Sequence, residues 1–385
     1  MSNNYKMVAK TLFGFEELLA KELRNLGALN VTKGVRSVYF EGDKGFMYKA
    51  NLSLRTALKI LKPIKSFKVF NEKDLYNKVQ SINWSEYLSA QNTFAVNASV
   101  NSKAFTHSHY VALKAKDAIV DKFREQEGVR PSIDLKHPDL RINVHIQEKE
   151  CTISLDSSGT SLHQRGYRLA TNMAPISEVL AAGMILMSGW DGQSDFFDPM
   201  CGSGTLAIEA AMIACNIPAN INRREFGFEK WRDYDEELFE KITESCLNKT
   251  REFHYKIYAS DSSAATLLKA KANAKNANLN EYITFDRKDF FNSEKPTEEK
   301  LHIVFNPPYD ERLDVDIETF YKSIGDTLKQ NYSNTDAWFI TGNIEALKHV
   351  GLRPSKKIKL FNGKLESRLV KYEIYEGSKK AKYNK

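Results

Sequence analysis

A glycine-containing segment, residues 197–205 with the sequence FDPMCGSGT, is the first place where residue types and spacing suggest ligand chemistry. It follows a short apolar stretch and precedes a strongly helical one, residues 206–215. Gly202 and Gly204 allow the backbone to turn tightly and to approach a ligand without a Cβ clash. Asp198 ends the expected strand, where its carboxylate could hold a cation such as the amino group of S-adenosylmethionine. A dinucleotide fits poorly, because the carboxylate would repel a pyrophosphate and the third fingerprint glycine is missing. The alternative is that the glycines serve only the turn.

Two further acids follow the next two predicted strands. Asp261 comes directly after residues 257–260, at the position where acids in nucleotide-binding sheets bond ribose hydroxyls. Asp289 follows residues 283–285 and could bond an adenine amino group, with Phe290 beside the ring. Taken singly, each acid is more often a helix cap or a solvated residue. Three acids after three successive strands together indicate a nucleoside cofactor at one edge of a sheet.

The sequence Asn306–Pro307–Pro308–Tyr309 follows an apolar strand, residues 301–305. Asn and Pro are turn formers, so a plain strand-ending turn is the simpler interpretation. The chemical interpretation uses every position, because an exocyclic base amine is a poor nucleophile until acceptors on its hydrogens localise its lone pair. The side-chain oxygen of Asn306 and the carbonyl of Pro307 could be those acceptors, on a loop that the two prolines make rigid. Tyr309 offers a ring on which a flipped base could stack, an interaction of about 1–3 kcal/mol.

These patterns define two sets of candidate site residues. The predicted catalytic residues are Asn306, Pro307, Pro308 and Tyr309. The predicted S-adenosylmethionine-binding residues are Asp198, Pro199, Cys201, Gly202, Gly204, Thr205, Asp261, Ser262, Asp289, Phe290 and Asn306. No metal site is predicted, because the four cysteines are widely spaced and form no CxxC pair.

The positive charge is concentrated in the N-terminal part of the chain. Residues 1–165 hold 25 Lys+Arg against 17 Asp+Glu, whereas the remainder holds 31 against 32. Polyanion binding is therefore expected in the N-terminal part, with a lysine-rich soluble surface as the alternative. The candidate RNA contacts are Arg55, Lys59, Lys62, Lys65 and Lys68 in one short stretch, with Lys114 and Arg165 as lesser ones. Each of them could instead belong to a solvated helix face.

Length and patterning restrict the class of protein. A chain of 385 residues is expected to form two or three domains. We expect a cytoplasmic protein, because neither a signal peptide nor a membrane-spanning run is visible. A monomer or weak dimer is also expected.

The N-terminal part alternates between helix-like and strand-like segments. Helical spacing predicts a helix over residues 14–26 and another over 43–61, which Pro63 should end, with a strand at 35–41 between them. A second unit has strand-like residues 93–100, 141–147 and 151–156 and an amphipathic helix at 109–124. A small α+β unit follows from this pattern.

From about residue 172 onwards, strands and helices alternate in the way that predicts a doubly wound parallel sheet. Its strands are predicted at 196–198, 257–260, 283–285, 301–305 and 337–341. Two late strands, 356–361 and 368–375, flank an Asn362–Gly363 hairpin signal. The polar insertion at residues 216–256 separates the first two strands and must lie outside the sheet.

The combined motifs resemble class I, Rossmann-fold methyltransferases that act on base amines, and more closely the bacterial THUMP-containing RNA guanine-N2 methyltransferases. The resemblance spans nearly the whole chain. Besides the glycine segment and the Asn-Pro-Pro-Tyr turn, it rests on DSSG at 156–159, HQRGYR at 163–168, APISE at 174–178, FEKW at 228–231 and LFNG at 360–363.

The resemblance implies a Rossmann-like, seven-stranded α/β methyltransferase domain preceded by a ferredoxin-like/THUMP α+β RNA-binding module. The expected divisions are 1–63 ferredoxin-like, 64–157 THUMP, 158–378 methyltransferase and 379–385 a basic tail. The implied reaction is transfer of a methyl group from S-adenosylmethionine to N2 of a guanine in large-subunit (23S) rRNA. Adenine-N6 methylation, a transfer-RNA substrate, and a non-catalytic RNA-binding assembly factor are the alternatives.

Overall fold

A computed structural model of the chain describes residues 4–169, 175–308 and 316–375. Two β-sheets organise these residues, one of eight strands in the N-terminal part and one of seven strands in the C-terminal part. Within the described ranges, no helix combines the length and the apolar character needed to cross a membrane.

The N-terminal sheet has the strand order β2-β3-β1-β4-β8-β7-β5-β6. Its strands are β1 (Tyr5–Thr11), β2 (Leu29–Gly34), β3 (Ser37–Gly42), β4 (Ala57–Lys68), β5 (Thr93–Asn101), β6 (Ser132–Ile133), β7 (Leu140–Gln147) and β8 (Glu150–Asp156). The helices are α1 (Glu16–Leu26), α2 (Lys44–Ser53), α3 (Glu72–Gln80) and α4 (Ser108–Glu127), with a 3-10 turn at Trp84–Glu86.

One apolar core joins most strands of this sheet to its four helices. Met7, Phe40, Ile60 and Val144 come from four different strands and are buried in the same cluster. Alternate residues of these strands point away from the helices, so the core lies on one side of the sheet only.

The predicted helix over residues 43–61 is wrong in its second half. The helix α2 begins with Asp43, which accepts a hydrogen bond from the Phe46 N–H at 2.8 Å, and it ends at Ser53. The chain then forms β4, which runs through Pro63 and pairs with β1 on one side and β8 on the other. The ladder with β8 shifts register between Pro63 and Lys65, an irregularity of the kind that accommodates a residue without an N–H.

The C-terminal sheet has the order β11-β10-β9-β12-β13-β15-β14. Its strands are β9 (Asp195–Asp198), β10 (Ile257–Asp261), β11 (Ile283–Arg287), β12 (Leu301–Phe305), β13 (Thr335–Thr341), β14 (Lys356–Asn362) and β15 (Leu365–Ile374). The helices are α5 (Glu178–Ser188), α6 (Thr205–Ala214), α7 (Glu236–Leu247), α8 (Ala264–Asn276) and α9 (Ile317–Asn331), with 3-10 turns at Gly227–Lys230, Phe290–Asn292 and Glu345–Val350.

Helices cover both faces of this sheet, which makes it Rossmann-like. One core contains α5, α6 and α8, and the other contains α9 and the last 3-10 turn. Every residue of β12 is buried, as expected for a central parallel strand. The strands from β11 to β13 are parallel, whereas β15 runs antiparallel to β13. The carboxyl ends of β9, β10, β11 and β12 therefore meet at one edge.

The insertion at residues 216–256 contributes no strand to either sheet among the residues described, as predicted. It packs on the N-terminal module instead. The ring of Phe228 stacks on Tyr48 of α2 with centroids 4.4 Å apart, and α7 packs against α2. A second contact joins the two halves at Phe15, whose buried ring lies against Gly183 of α5.

Candidate active site

A cavity of about 320 Å³ lies at the carboxyl edge of the C-terminal sheet. It is bordered by the ends of β9, β10 and β12 and by the start of α6, the position where open α/β sheets bind ligands. The lining residues predicted from the sequence are Asp198, Pro199, Cys201, Gly202, Thr205, Asp261, Ser262, Asp289, Phe290, Asn306 and Pro308. Of the predicted cofactor-binding residues, Gly204 alone does not line it.

The two glycines shape the loop in different ways. Gly202 and Gly204 both have left-handed backbone, with φ of 54° and 83°, which favours glycine. A Cβ on Gly204 would lie 3.1 Å from the Ala270 Cβ, so Gly204 also permits close packing of the loop on α8. A Cβ on Gly202 would meet no protein atom within 4 Å, and Gly202 borders the cavity. Gly204 is thus required by the turn and its packing, whereas Gly202 leaves the cavity side of the loop open to a ligand.

Asp261 joins the end of β10 to the glycine loop. One carboxylate oxygen accepts from the Gly202 N–H at 3.1 Å, and the other accepts from the Ser263 N–H at 2.9 Å. A carboxylate has about four acceptor positions, so these two bonds orient the group and leave capacity for a pair of ligand hydroxyls. This arrangement suits a ribose.

Asp198 is the buried carboxylate of the site. Its side chain accepts one hydrogen bond of 3.3 Å, from the Met200 N–H, and it is 1% exposed. Burial, together with the charge of Asp261, raises the pKa of Asp198 well above its usual range. A buried carboxylate with one backbone donor favours a cationic ligand group, because that group would supply the missing positive charge.

The third acid caps a turn. Asp289 accepts from the Phe291 N–H at 3.2 Å and from the Asn292 side chain at 2.7 Å, at the start of the 3-10 turn Phe290–Asn292. The turn holds Phe290 against Phe305 in the core while Phe290 still borders the cavity. Asp289 thus caps a turn, which was the alternative interpretation of the sequence, and it also lines the cavity.

The Asn-Pro-Pro turn begins where β12 ends. Asn306 and Pro308 line the same cavity as the three acids, whereas Pro307 is buried and does not. Tyr309, the predicted stacking residue, lies outside the described residues. The turn shares the sheet edge with the glycine loop because β9 and β12 are neighbouring parallel strands.

One wall of the cavity was missed in the sequence. Pro175 and Ile176 line it, and Arg168 holds this segment in place. The Arg168 guanidinium donates to the Ile176 carbonyl and to the Thr205 hydroxyl, both at 3.0 Å, and pairs with buried Glu178 at 3.1 Å. Burial raises the pKa of Glu178 to about 7, with Arg168 opposing the rise. The motifs at 163–168 and 174–178 were the available signal, but they gave no role to individual residues.

Two predicted RNA contacts are wrong. Arg165 is fully buried and Arg55 is 9% exposed. Arg165 pairs with buried Glu209 at 3.4 Å, donates to Asn220 at 3.1 Å and also donates to the Arg55 carbonyl of the N-terminal module. The Arg55 guanidinium donates to the Met212 and Ile217 carbonyls. Both guanidinium groups therefore hold the N-terminal module to the methyltransferase domain and cannot reach a phosphate.

The remaining candidate RNA contacts lie on different surfaces. Lys59 pairs with buried Asp156, and Lys62 lies over the rings of Tyr5 and Trp231 on the side of the insertion. Lys65 and Lys68 are exposed at the far end of β4, and Lys114 lies between two tyrosine rings on the helical side. The solvated helix face, which was the alternative interpretation, is a β-strand at Lys59, Lys62, Lys65 and Lys68, and Lys114 lies on the separate helix α4, so these lysines do not form one surface.

Comparison with known proteins identifies the three parts of the chain. Residues 165–371 match the RMKL-like methyltransferase domain, residues 70–156 match the THUMP domain, and residues 6–61 match the RlmL ferredoxin-like domain. A protein of Synechocystis sp. named "Putative RNA methyltransferase" is 37% identical over 365 residues, which cover 94% of this chain and 95% of that protein.

Solved structures agree with this assignment. The protein SMU.472, named a "putative methyltransferase" and crystallised with S-adenosylhomocysteine, superposes with a TM-score of 0.85 at 28% identity, covering 98% of this chain and all of that one. A protein of Listeria monocytogenes named as a predicted N6-adenine-specific DNA methylase gives a TM-score of 0.84 at 29% identity, covering 98% and 97% of the two chains.

The buried Asp198 fits the cationic amino group of S-adenosylmethionine, and Asp261, which accepts two backbone hydrogen bonds, fits its ribose. Together with the matched domains, these features place the chain in the RMKL-like methyltransferase family, as an S-adenosylmethionine-dependent RNA methyltransferase with a THUMP domain.

Proposed function

We propose that the protein methylates the exocyclic N2 amine of a guanine in 23S rRNA, acting in the cytoplasm. The observation that carries the proposal is the position of Asn306 and Pro308 on the same cavity as Asp198 and Asp261. A base amine presented at the turn would then face the cofactor across one cavity.

The residues of this chain act by holding and aligning. Asp198 would hold the amino group of S-adenosylmethionine, Asp261 its ribose, and Asp289 the adenine amino group. When bound, the cofactor supplies a methyl group on a positively charged sulfur. The Asn306 oxygen, on the cavity, would accept one hydrogen of the base amine and so direct its lone pair toward that methyl group. Pro307 is buried off the cavity, so its proposed carbonyl contact with the second hydrogen requires the amine to reach the backbone of the turn. Most of the rate then comes from alignment.

A neutral residue suits the turn better than an acid. The positive charge on sulfur disappears during transfer, so a carboxylate beside it would stabilise the starting state more than the transition state. The amine becomes acidic only as it gains the methyl group, so no strong general base is needed at Asn306.

Adenine-N6 methylation is the second candidate, since the same turn chemistry serves both purine amines. The name of the Listeria monocytogenes protein favours it, as a base amine of adenine is what that name specifies. The THUMP match favours RNA over DNA as the substrate here.

Substitution of Asn306 tests the catalytic assignment. We expect Asn306→Ala to lower kcat by about 100-fold or more, the loss typical for one preorganised polar group, while the Kd for S-adenosylmethionine stays within a few-fold. Asn306→Asp should also be slow, because it restores an acceptor but adds a negative charge near sulfur. Asn77→Ala, on an exposed face of α3, is the matched control. Turnover by Asn306→Ala equal to that of this control would refute the assignment.

Mass mapping of modified nucleosides identifies the substrate. In cells that lack this gene, we expect one N2-methylguanosine to be missing from 23S rRNA, and the purified protein should restore it in vitro. Loss of N6-methyladenosine instead would favour the second candidate, and an unchanged 23S rRNA would exclude the proposed substrate.

We also propose the domain division 1–63, 64–157, 158–378 and a basic tail at 379–385. The matched ranges 6–61, 70–156 and 165–371 support it. The first two parts nevertheless share one sheet, since β4 crosses the division at residue 63.

A further inference from the structure

The N-terminal sheet has a second face, opposite its apolar core. We call it the open face; it carries Lys10, Lys59, Asn97, Arg141, Asn143 and His145. These residues alternate along their strands with core residues such as Ala9, Ile60 and Val144, so they project from the other side. Two buried hydrophobic residues, Ala95 and Leu61, lie on this second face as well. They pair with Arg141 and Asp156, respectively, and do not belong to the core cluster on the other side.

Cations form a row across the open face. Lys10 and Lys59 are paired residues on neighbouring strands. The Arg36 carbonyl accepts from the N–H of Thr11, the residue after Lys10, at 3.0 Å, so Arg36 lies beside the end of β1. Burial, and then the charge of Arg36, lowers the pKa of Lys10. Arg141 lies on β7, three strands from Lys10 in the order β1-β4-β8-β7. With a strand spacing of about 4.8 Å, the distance from β1 to β7 is about 14 Å.

The carboxylate within this row is largely neutralised. Asp156 is 3% exposed and is ion-paired with Lys59. Arg141 lies beside Asp156 on the neighbouring strand, since the next residue, Ile142, pairs with Leu155. At the end of the row, the Glu16 carboxylate accepts from the Arg36 N–H at 3.0 Å, so four cations lie beside two carboxylates, of which Asp156 is buried. Such a row favours a linear polyanion whose charges repeat at a few ångströms, and the backbone of a nucleic acid has this property.

Beside the row lies a band of uncharged polar side chains. Asn97 and Asn143 are paired across β5 and β7, and neither side-chain amide has a hydrogen-bond partner among the residues described. On the next pair of the same face, Ser99 and the His145 Nδ1 are 2.9 Å apart. Burial and the charge of Lys10 lower the pKa of His145, so its ring is neutral at pH 7. Neutral groups that both donate and accept suit base edges and 2′-hydroxyls.

We propose that the open face docks a single-stranded segment of the RNA substrate, with the backbone on the Arg36–Lys10–Lys59–Arg141 row and the bases over Asn97 and Asn143. A sheet face cannot enter the grooves of a duplex as a helix does, whereas unstacked bases can lie flat on it. Tyr39 on the same face is 46% exposed and adds a ring for stacking. The proposal rests on RNA methylation but not on guanine N2 or on 23S rRNA.

Charge neutralisation in the full-length protein tests the row. The variant Lys10→Gln/Arg36→Gln is compared with Lys73→Gln/Arg130→Gln, which removes the same charge from two exposed residues outside the open face. The probe is a short, unstructured, fluorescein-labelled RNA, and fluorescence anisotropy gives its Kd at several salt concentrations. A single-strand phosphate contact contributes about 0.7 to the slope of log K against log salt, so loss of two contacts should reduce the slope by about 1.4. The control should leave the slope unchanged.

A second variant tests the amide band. Asn97→Ala/Asn143→Ala should weaken binding of the same probe several-fold without changing the salt slope. Unchanged S-adenosylmethionine affinity by calorimetry shows that each variant is folded. The proposal is overturned if the open-face variants bind the probe like the control, if duplex RNA competes better than single-stranded RNA, or if only self-association changes. Absence of N2-methylguanosine would overturn the proposed reaction and leave this measurement intact.

Discussion

At the scale of single residues, the site depends on how each carboxylate is solvated. Asp261 receives two backbone N–H groups and Asp289 a backbone and a side-chain N–H, whereas buried Asp198 receives one. A carboxylate with few donors and little water has a raised pKa, as Asp198 does. Binding of the cationic amino group would favour the charged form of Asp198 and release a proton.

This linkage predicts how cofactor affinity depends on pH. Since the pKa of Asp198 is raised in the free protein, its carboxyl is protonated at low pH, and binding must remove that proton. Affinity for S-adenosylmethionine should therefore rise with pH until the pH exceeds the raised pKa of Asp198. Calorimetry in buffers of different ionisation enthalpy should detect the released proton.

Removal of the charge provides the control for this prediction. Asp198→Asn should weaken S-adenosylmethionine binding by about 2 kcal/mol, roughly 30-fold. It should also abolish both the proton release on binding and the rise of affinity with pH. Asp326→Asn, on an exposed face of α9, should change neither. A wild-type affinity that falls as the pH is raised from acid would contradict the raised pKa.

At the scale of elements, sequence patterns succeeded where local and tertiary signals agreed. The predicted strand at 301–305 has the observed bounds of β12, because a mainly apolar run, interrupted by His302, ends at a proline-rich turn. The predicted acids also meet at one edge of the sheet, since they follow strands whose parallel order brings their ends together. The predicted helix over residues 43–61 ran into the start of β4, whose partners β1 and β8 are distant in sequence. Neither β1, β2 nor α3 was predicted.

Burial of arginine was the other failure, and it has a physical reason. A charged residue is usually exposed, so Arg55 and Arg165 were assigned to the surface. Their burial depends on acceptors from other elements: Asn220 and Glu209 for Arg165, and the carbonyl of Ile217 for Arg55. No local pattern reports such partners.

The Arg165 pair yields a prediction about stability. Arg165→Ala would leave the Glu209 charge buried without its partner and should lower the free energy of unfolding by about 3–5 kcal/mol. Arg130→Ala, at an exposed residue, should cost less than about 0.5 kcal/mol. Chemical denaturation measures both. A loss of RNA affinity in Arg165→Ala with unchanged stability would restore Arg165 as an RNA contact.

At the scale of the whole molecule, the two halves are joined by packing as well as by charge. Phe15 enters the core of the methyltransferase domain, and Gly183 makes room for it, since a Cβ there would lie 2.0 Å from the Phe15 ring. The insertion adds the aromatic contact between Phe228 and Tyr48 on another side. The positively charged N-terminal module is thus fixed to the catalytic half at several points.

A compensating pair of substitutions tests the Phe15 contact. Gly183→Ala should destabilise the protein by about 1–3 kcal/mol because it crowds the ring, and the added change Phe15→Leu should recover part of that loss. The double mutant should therefore lose less stability than the sum of the losses of the two single mutants, as measured by thermal or chemical unfolding. Strict additivity of the two changes would show that the ring and the glycine do not meet.

The joint formed by Arg165, Arg55 and Phe15 has a consequence for target choice. Because these contacts fix the N-terminal module to the catalytic half, the distance between the RNA-docking surface and the active site is set by the protein. If RNA docks on the module, a nucleotide is modified only when the fold of the RNA sets its amine one fixed span away. The same base in a differently folded RNA would then not be methylated. An RNA that refolds during maturation would be a substrate only while it has the fold that places the amine at this distance.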